Sequence, residues 1–222
     1  MIDLLEHYIH DSLPQWGDFS TNPNLTKKVD ANGNLLPFLG NTVVFLLDEK
    51  TKDALAKLQD QLYYWGGELL AQPLERSTFH MTLHDLANGT PDREGLAEWM
   101  AQTQAGARAL LDQWKDQPPL RMRATWLFNM VRTSIVLGLA PADGDSWERL
   151  DRMYTALEDV VPLGHALTPH ITMGYFRPGT YCMEQVIALR NALQPVDLEI
   201  QLPMEQLVLQ NFCSMNHYET IA

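Results

Sequence analysis

Apolar and polar positions follow two periods along this chain, one near two residues and one near 3.6. Asn41–Asp48, "NTVVFLLD", is short, β-branched and apolar on both faces, which predicts a buried strand. Asp48 is placed to cap a helix running to about Trp65, with Ala54, Leu55, Leu58 and Leu62 on one face and Gly66-Gly67 ending it. Strands are predicted near Glu68–Ala71 and over Thr78–Leu86. A second helix is expected to open at Pro91-Asp92 and to stop before Pro118-Pro119. Two strand-like runs follow, "LRMRATWLF" and "RTSIVLGLA", with "NMV" as a hairpin connection. Then come a helix over Ser146–Val160, a strand over Pro169–Phe176 and a helix from Tyr181 to Leu193. Strands at "DLEIQL" and "EQLVLQNF" and an edge at "NHYETI" close the chain, and a short helix is expected over residues 2–10.

The second half of this series roughly repeats the first. We therefore expect one α+β domain over residues 1–222, with two pseudo-symmetric lobes of antiparallel sheet flanked by helices around a central cleft. Residues 41–222 form the body and 1–40 an N-terminal arm. The stretch Pro14–Gly40 is rich in turn residues and long for a structureless loop. It carries Trp16, Phe19, Leu35, Leu36 and Phe38, too apolar for a free tail, so it is expected to pack on the body and border the cleft.

Two strands hold the candidate chemistry. "FHMTL" alternates Phe79, Met81 and Leu83 with His80, Thr82 and His84. "HITMGY" alternates Ile171, Met173 and Tyr175 with His170, Thr172 and Gly174. Successive side chains on a strand point to opposite faces, so each segment buries one face and offers His and Thr together on the other. A His-x-Thr match alone is weak. A matched pair, each in period-2 alternation, each following a helix, at corresponding places in the two halves, is stronger. Two imidazoles titrating near neutrality can act as base and acid in cleaving a phosphodiester without a metal. Threonine hydroxyls can donate to the non-bridging oxygens.

These strands resemble the signature of the two-histidine phosphoesterase superfamily, which includes the bacterial RNA ligase/cyclic phosphodiesterase-like proteins. The resemblance runs from about Gly40 to Phe212 and implies two similar lobes with one His-x-Thr motif each facing a cleft. It further implies His80 and His170 as the catalytic pair, Thr82 and Thr172 as phosphate binders, and a 2′,3′-cyclic phosphate of a nucleotide or RNA end as substrate, in RNA processing. No cofactor and no metal are expected.

His84 shares a face with His80 and Thr82 in this alternation and is a candidate for the cleft rim, as are Arg123, Arg132 and Tyr175. The ordinary role of each is plainer: a strand-end polar residue, solvated arginines, a packed ring. Arg121 is read like the other two arginines, Trp126, Phe128 and Phe176 could stack on a base but core packing is their ordinary role, and His217 and Tyr218 stay undecided. His80 and His84 on a strand stand about 13 Å apart, too far to share an ion, which disfavours the rival reading as a metal-dependent hydrolase. A further rival is a non-catalytic protein that binds a cyclic nucleotide.

Composition then bounds the partners. The chain has 222 residues, 45% hydrophobic and 20% charged, with a net charge of −12. That charge repels long duplex nucleic acid but leaves room for a small phosphate ester in a local pocket. The longest apolar run is too short to span a bilayer, the N-terminus lacks signal-peptide character, and Cys182 and Cys213 stand alone. A cytoplasmic monomer acting on a small nucleotide or short RNA end is the expectation.

Overall fold

The computed structural model describes residues 13–221. The helix expected over residues 2–10, with His7 and His10, lies outside them. The elements are β1 (Phe19–Ser20), β2 (Leu39–Leu46), α1 (Glu49–Gly66), β3 (His80–Gly89), α2 (Leu96–Trp114), β4 (Leu120–Met130) and β5 (Ser134–Pro141). They continue with α3 (Gly144–Glu158), β6 (His170–Tyr175), β7 (Thr180–Tyr181), α4 (Met183–Ala192), β8 (Glu199–Leu202), β9 (Leu207–Ser214) and β10 (His217–Thr220).

The fold is the expected α+β arrangement. Eight strands form one antiparallel sheet in the order β10-β9-β2-β3-β6-β5-β4-β8. Its left half, β10-β9-β2-β3, and its right half, β6-β5-β4-β8, are two four-stranded lobes. They meet at the strands that carry His80 and His170. The seam is narrow: β3 and β6 pair only through Met81 and Ile171. Within each lobe pairing is extensive, as between β2 and β3 or β4 and β5.

The strand next to each motif strand, β2 or β5, is buried on both faces, as the unbroken apolar run around Val43–Phe45 requires. Asp48 caps α1 by accepting from the Thr51 N–H at 2.7 Å, and Asp143 caps α3 by accepting from Ser146 at the same distance. Met81, Leu83, Ile171 and Met173 are buried in the core. Helices α1, α2 and α3 pack against the sheet, and α4 packs on α1 where Gly66 meets Leu189.

Two expected elements change. The strand near Glu68–Ala71 shrinks to one bridge, Leu70 to Phe176, because the Gln72 N–H turns to the Gly33 carbonyl of the arm at 2.8 Å. The helix expected from Pro91-Asp92 begins at Leu96. A turn from Thr90 to Arg93 and a left-handed Gly95 (φ 71°) come first.

The described part of the arm, residues 13–40, packs on the body. Leu13, Phe19, Leu25, Val29 and Phe38 are buried, while Trp16 is exposed. β1 pairs with β7, and the Phe38 N–H donates to the Cys213 carbonyl at 3.0 Å. The Asn22 N–H donates to the Arg132 carbonyl at 2.9 Å, and its side-chain amide to the Val131 carbonyl at 3.2 Å. Those last bonds hold the hairpin turn between β4 and β5, where Val131 (φ 44°) and Arg132 (φ 60°) both adopt left-handed backbone. Neither is a glycine, so the turn is strained.

Candidate active site

Antiparallel pairing of Met81 with Ile171 fixes the rest of the seam. In that register His80 lies opposite Thr172, and Thr82 lies opposite His170. The two histidines are then diagonal neighbours, at roughly 7–8 Å between backbone positions. All four side chains line one cavity of about 510 Å³. The structure thus brings His80, Thr82, His170 and Thr172 together on one floor, with space for a phosphate among them.

Each ring is held from behind. His170 Nδ1 donates to the Thr168 carbonyl at 2.7 Å, and the His80 ring bonds likewise to the carbonyl of Thr78. A carbonyl only accepts, so the neutral His170 keeps its proton on Nδ1 and presents the Nε2 lone pair as a base. Once protonated, the same Nε2 is an acid. Burial pushes His80 down to about 4, opposed by the Thr78 carbonyl and by Asp85, with His170 adding a small further depression. Burial also lowers His170, opposed by the Thr168 carbonyl and Asp85. Both shifts favour the neutral imidazole near pH 7. A phosphate anion between them would favour protonation of one.

A matching irregularity comes after each motif. β3 shifts register against β2 between Val43 and Val44, and β6 shifts against β5 between Ile135 and Val136. One residue is inserted after Thr82 and one after Thr172, which reverses the alternation beyond them. The third residue past each threonine, Asp85 or Tyr175, therefore returns to the cavity.

The expectation that His84 shares a face with His80 and Thr82 is corrected by this bulge. His84 is buried away from the cavity, with Nδ1 at 2.6 Å from the Asp85 carbonyl and Nε2 at 3.0 Å from Glu158 of α3. It does not converge with His80. Among the described residues no group of three or more His, Cys, Asp or Glu is arranged to hold a metal ion. Gly174 is the counterpart of His84. There a Cβ would stand 2.9 Å from the Tyr63 hydroxyl.

Of the other candidates, Tyr175 lines the cavity and donates to Met215 Sδ at 3.1 Å. Arg123 does not line it; it is exposed and 3.9 Å from Glu199 of β8. Arg132 sits outside the cavity on the strained turn. Arg121 faces Asp143, Trp126 is partly exposed beside Pro195, and Phe128 is buried.

Sequence reasoning missed Lys28, Asp85, His165 and Phe212, and left Tyr218 undecided; all line the cavity. Tyr218 meets His80 edge to face at 4.9 Å and Phe212 at 5.5 Å, and Phe212 stacks on Phe38 of the arm at 6.3 Å. Burial pushes the Tyr218 phenol well above its usual range, helped by Tyr175 and Asp85, so it is a neutral hydroxyl. One available signal was the longer repeat, "TFHMTLHD" against "TPHITMGY", which includes the two buttressing threonines and the two cavity residues.

No protein-family model matches the chain, and no curated protein is similar to it in sequence. Solved structures are similar in fold. The conserved protein of unknown function ATU0111 from Agrobacterium tumefaciens matches with a TM-score of 0.64 and 20% identity, covering 100% of this chain and 98% of its own. TT0787 of Thermus thermophilus matches with a TM-score of 0.50 and 14% identity, over 82% of this chain and 95% of its own. A structure described as a phosphoesterase matches with a TM-score of 0.50 and 13% identity, over 84% of this chain and 97% of its own. In fold, though not in sequence, the chain is similar to these proteins, a solved phosphoesterase among them.

Proposed function

We propose that this protein is a two-histidine phosphoesterase that cleaves a small phosphodiester without a metal, with a 2′,3′-cyclic phosphate on a nucleotide or short RNA end as the expected substrate. The observation that carries the reading is the crossed quartet at the seam, where each motif histidine lies opposite the other motif's threonine in one cavity. One imidazole takes a proton from water through Nε2 as the oxygen attacks phosphorus. The other, as imidazolium, gives its proton to the departing ribose oxygen as the P–O bond breaks, leaving a phosphomonoester. Thr82 and Thr172 donate to the non-bridging oxygens, where negative charge is most crowded. The aromatic wall of Tyr218 and Phe212 offers a surface for a base.

The reading includes a cytoplasmic monomer needing no cofactor. Among the described residues no helix is long and apolar enough to cross a membrane.

The test is incubation with a panel of cyclic and linear phosphodiesters in EDTA, read by mass spectrometry. Conversion of a 2′,3′-cyclic nucleotide to a single monoester is expected. Tight binding without turnover would make this a nucleotide-binding protein instead, and activity lost in EDTA and restored by zinc would make it a metal hydrolase.

A further inference from the structure

The reacting quartet is nearly two-fold symmetric, so it does not by itself decide which way round a substrate lies. The two cavity residues beyond it break that symmetry. Asp85, three past Thr82, puts a carboxylate at one end. Tyr175, three past Thr172, has the ammonium of Lys28 5.7 Å from its ring centre, and the same ammonium lies 4.8 Å from the ring of Phe38. Of the described residues lining the cavity Lys28 is the only lysine or arginine, and Asp85 the only aspartate or glutamate. Among the described residues Lys28 makes no ion pair.

Lys28 is also held in place. It ends a short helical turn, Pro23–Lys27, whose first residues are capped by Asn22. Its N–H donates to the Leu25 carbonyl at 2.9 Å, its carbonyl accepts from Leu36 at 2.8 Å, and Leu25 and Val29 on either side are buried. An ammonium over two ring faces is stabilised by them yet keeps its hydrogen-bond donors for another partner. In a chain of net charge −12, a cation held at the wall of a cavity of about 510 Å³ offers an anionic group of a small ligand a local partner.

We infer that Lys28 binds a second phosphate of the substrate, one other than the phosphodiester being cleaved, and so sets the direction in which the substrate enters. This rests on the phosphoesterase reading. The repulsion of Asp85 excludes that second phosphate from the opposite end, so the pair acts as a polarity filter. The preferred substrate class is a cyclic phosphate that carries a further phosphate, as a 5′-phosphorylated nucleotide or a short oligonucleotide end does. A bare nucleoside cyclic phosphate lacks it.

The experiment compares adenosine 2′,3′-cyclic phosphate with and without a 5′-phosphate. Wild type is expected to favour the 5′-phosphorylated form about 10- to 100-fold in kcat/KM, mainly through KM, as for one charge-assisted contact. Lys28→Met should shrink the preference to about threefold or less, and Lys28→Arg should keep most of it. Absence of a preference in wild type, its survival in Lys28→Met, or an equal loss on both substrates would overturn the inference. If neither compound is cleaved, the phosphoesterase reading fails separately, and calorimetry decides on Lys28. Adenosine 3′,5′-bisphosphate should then bind more tightly than adenosine 3′-monophosphate to wild type but not to Lys28→Met, and equal affinities in wild type would refute it.

Discussion

Met81 and Ile171 face each other across the seam of the sheet, and each is the middle residue of a His-x-Thr motif. That single pairing is a local two-fold axis, and it sets each threonine beside the other motif's histidine. Thr82→Val and Thr172→Val keep shape and strand propensity while removing one donor from the cavity floor. Each is expected to lower turnover about 10- to 1,000-fold, as loss of one oxyanion donor does. Steady-state kinetics with circular dichroism on both variants checks this. Full activity in both would mean that the hydroxyls do not touch the phosphate.

His80→Ala and His170→Ala should each remove most activity, because proton transfer fails when either partner is missing. The double variant should lose little more than the worse single one, since residues acting as a unit are strongly non-additive. Losses that multiply would show two independent roles and count against the paired mechanism.

The motif strands were legible in the sequence because a half-buried strand repeats every two residues, and "FHMTL" and "HITMGY" each keep that period up to the threonine. The residues beyond each threonine were not legible. "HMTLHD" continues the apolar-polar alternation through His84, yet the bulge against β2 depends on how the partner strand runs at Val43-Val44. Nothing local to β3 announces it. Arg123 looked eligible because an arginine on a strand suits phosphate, but β6 and β5 lie between β4 and the seam, and the side chain stands exposed near Glu199 of β8. Lys28 was hidden for a different reason. It lies in irregular chain whose course is set by distant partners, Val131, Arg132 and Cys213.

His84 provides a control on the same strand as His80. It is buried, and its two ring nitrogens meet the Asp85 carbonyl and Glu158. Glu158 in turn accepts from the Leu163 N–H at 3.0 Å, in the loop that leads to His165. His84→Ala is expected to cost about 1–3 kcal/mol of stability, the cost of leaving buried partners unsatisfied. Turnover in the folded variant should fall far less than in His80→Ala. Urea denaturation with kinetics well below the melting temperature separates the two, and a loss of turnover as deep as that of His80→Ala would place His84 in the chemistry.

The turn at Val131-Arg132 stores strain beside the cavity, which Val131 lines. Left-handed backbone costs a non-glycine residue about 1–2 kcal/mol, more for a β-branched one. Asn-Gly suits both positions, so the double change Val131→Asn, Arg132→Gly should raise stability by about 1 kcal/mol, or about 2–4 °C in Tm for a chain of this size. The backbone carbonyls that bind Asn22 are retained. Calorimetry checks it, and an unchanged or lower Tm would mean that the native side chains compensate for the strain.

The depressed histidines give two pH signatures with opposite uses. In kinetics, kcat/KM reports the free enzyme, rising as the base loses its proton and falling as the acid loses its own. Burial holds His80 at about 4 and His170 below its usual 6.5, so both limbs, and the maximum between them, lie below pH 6.5. A bound phosphate anion raises both imidazoles, so the profile of kcat should be displaced to higher pH than that of kcat/KM. In stability, the unfolded chain takes up a proton near 6.5 while folded His80 resists until about 4. The contribution of neutral His80 is therefore complete above pH 6.5 and is lost as pH falls from 6.5 toward 4. Wild type should lose stability across that window, and His80→Gln, with no group to titrate there, should lose less. Urea midpoints from pH 4 to 8 for both proteins, beside pH–rate profiles of wild type, test the two together. A kcat/KM maximum above pH 7.5, or identical stability curves for wild type and His80→Gln, would show that the cavity floor is wetter than its packing implies.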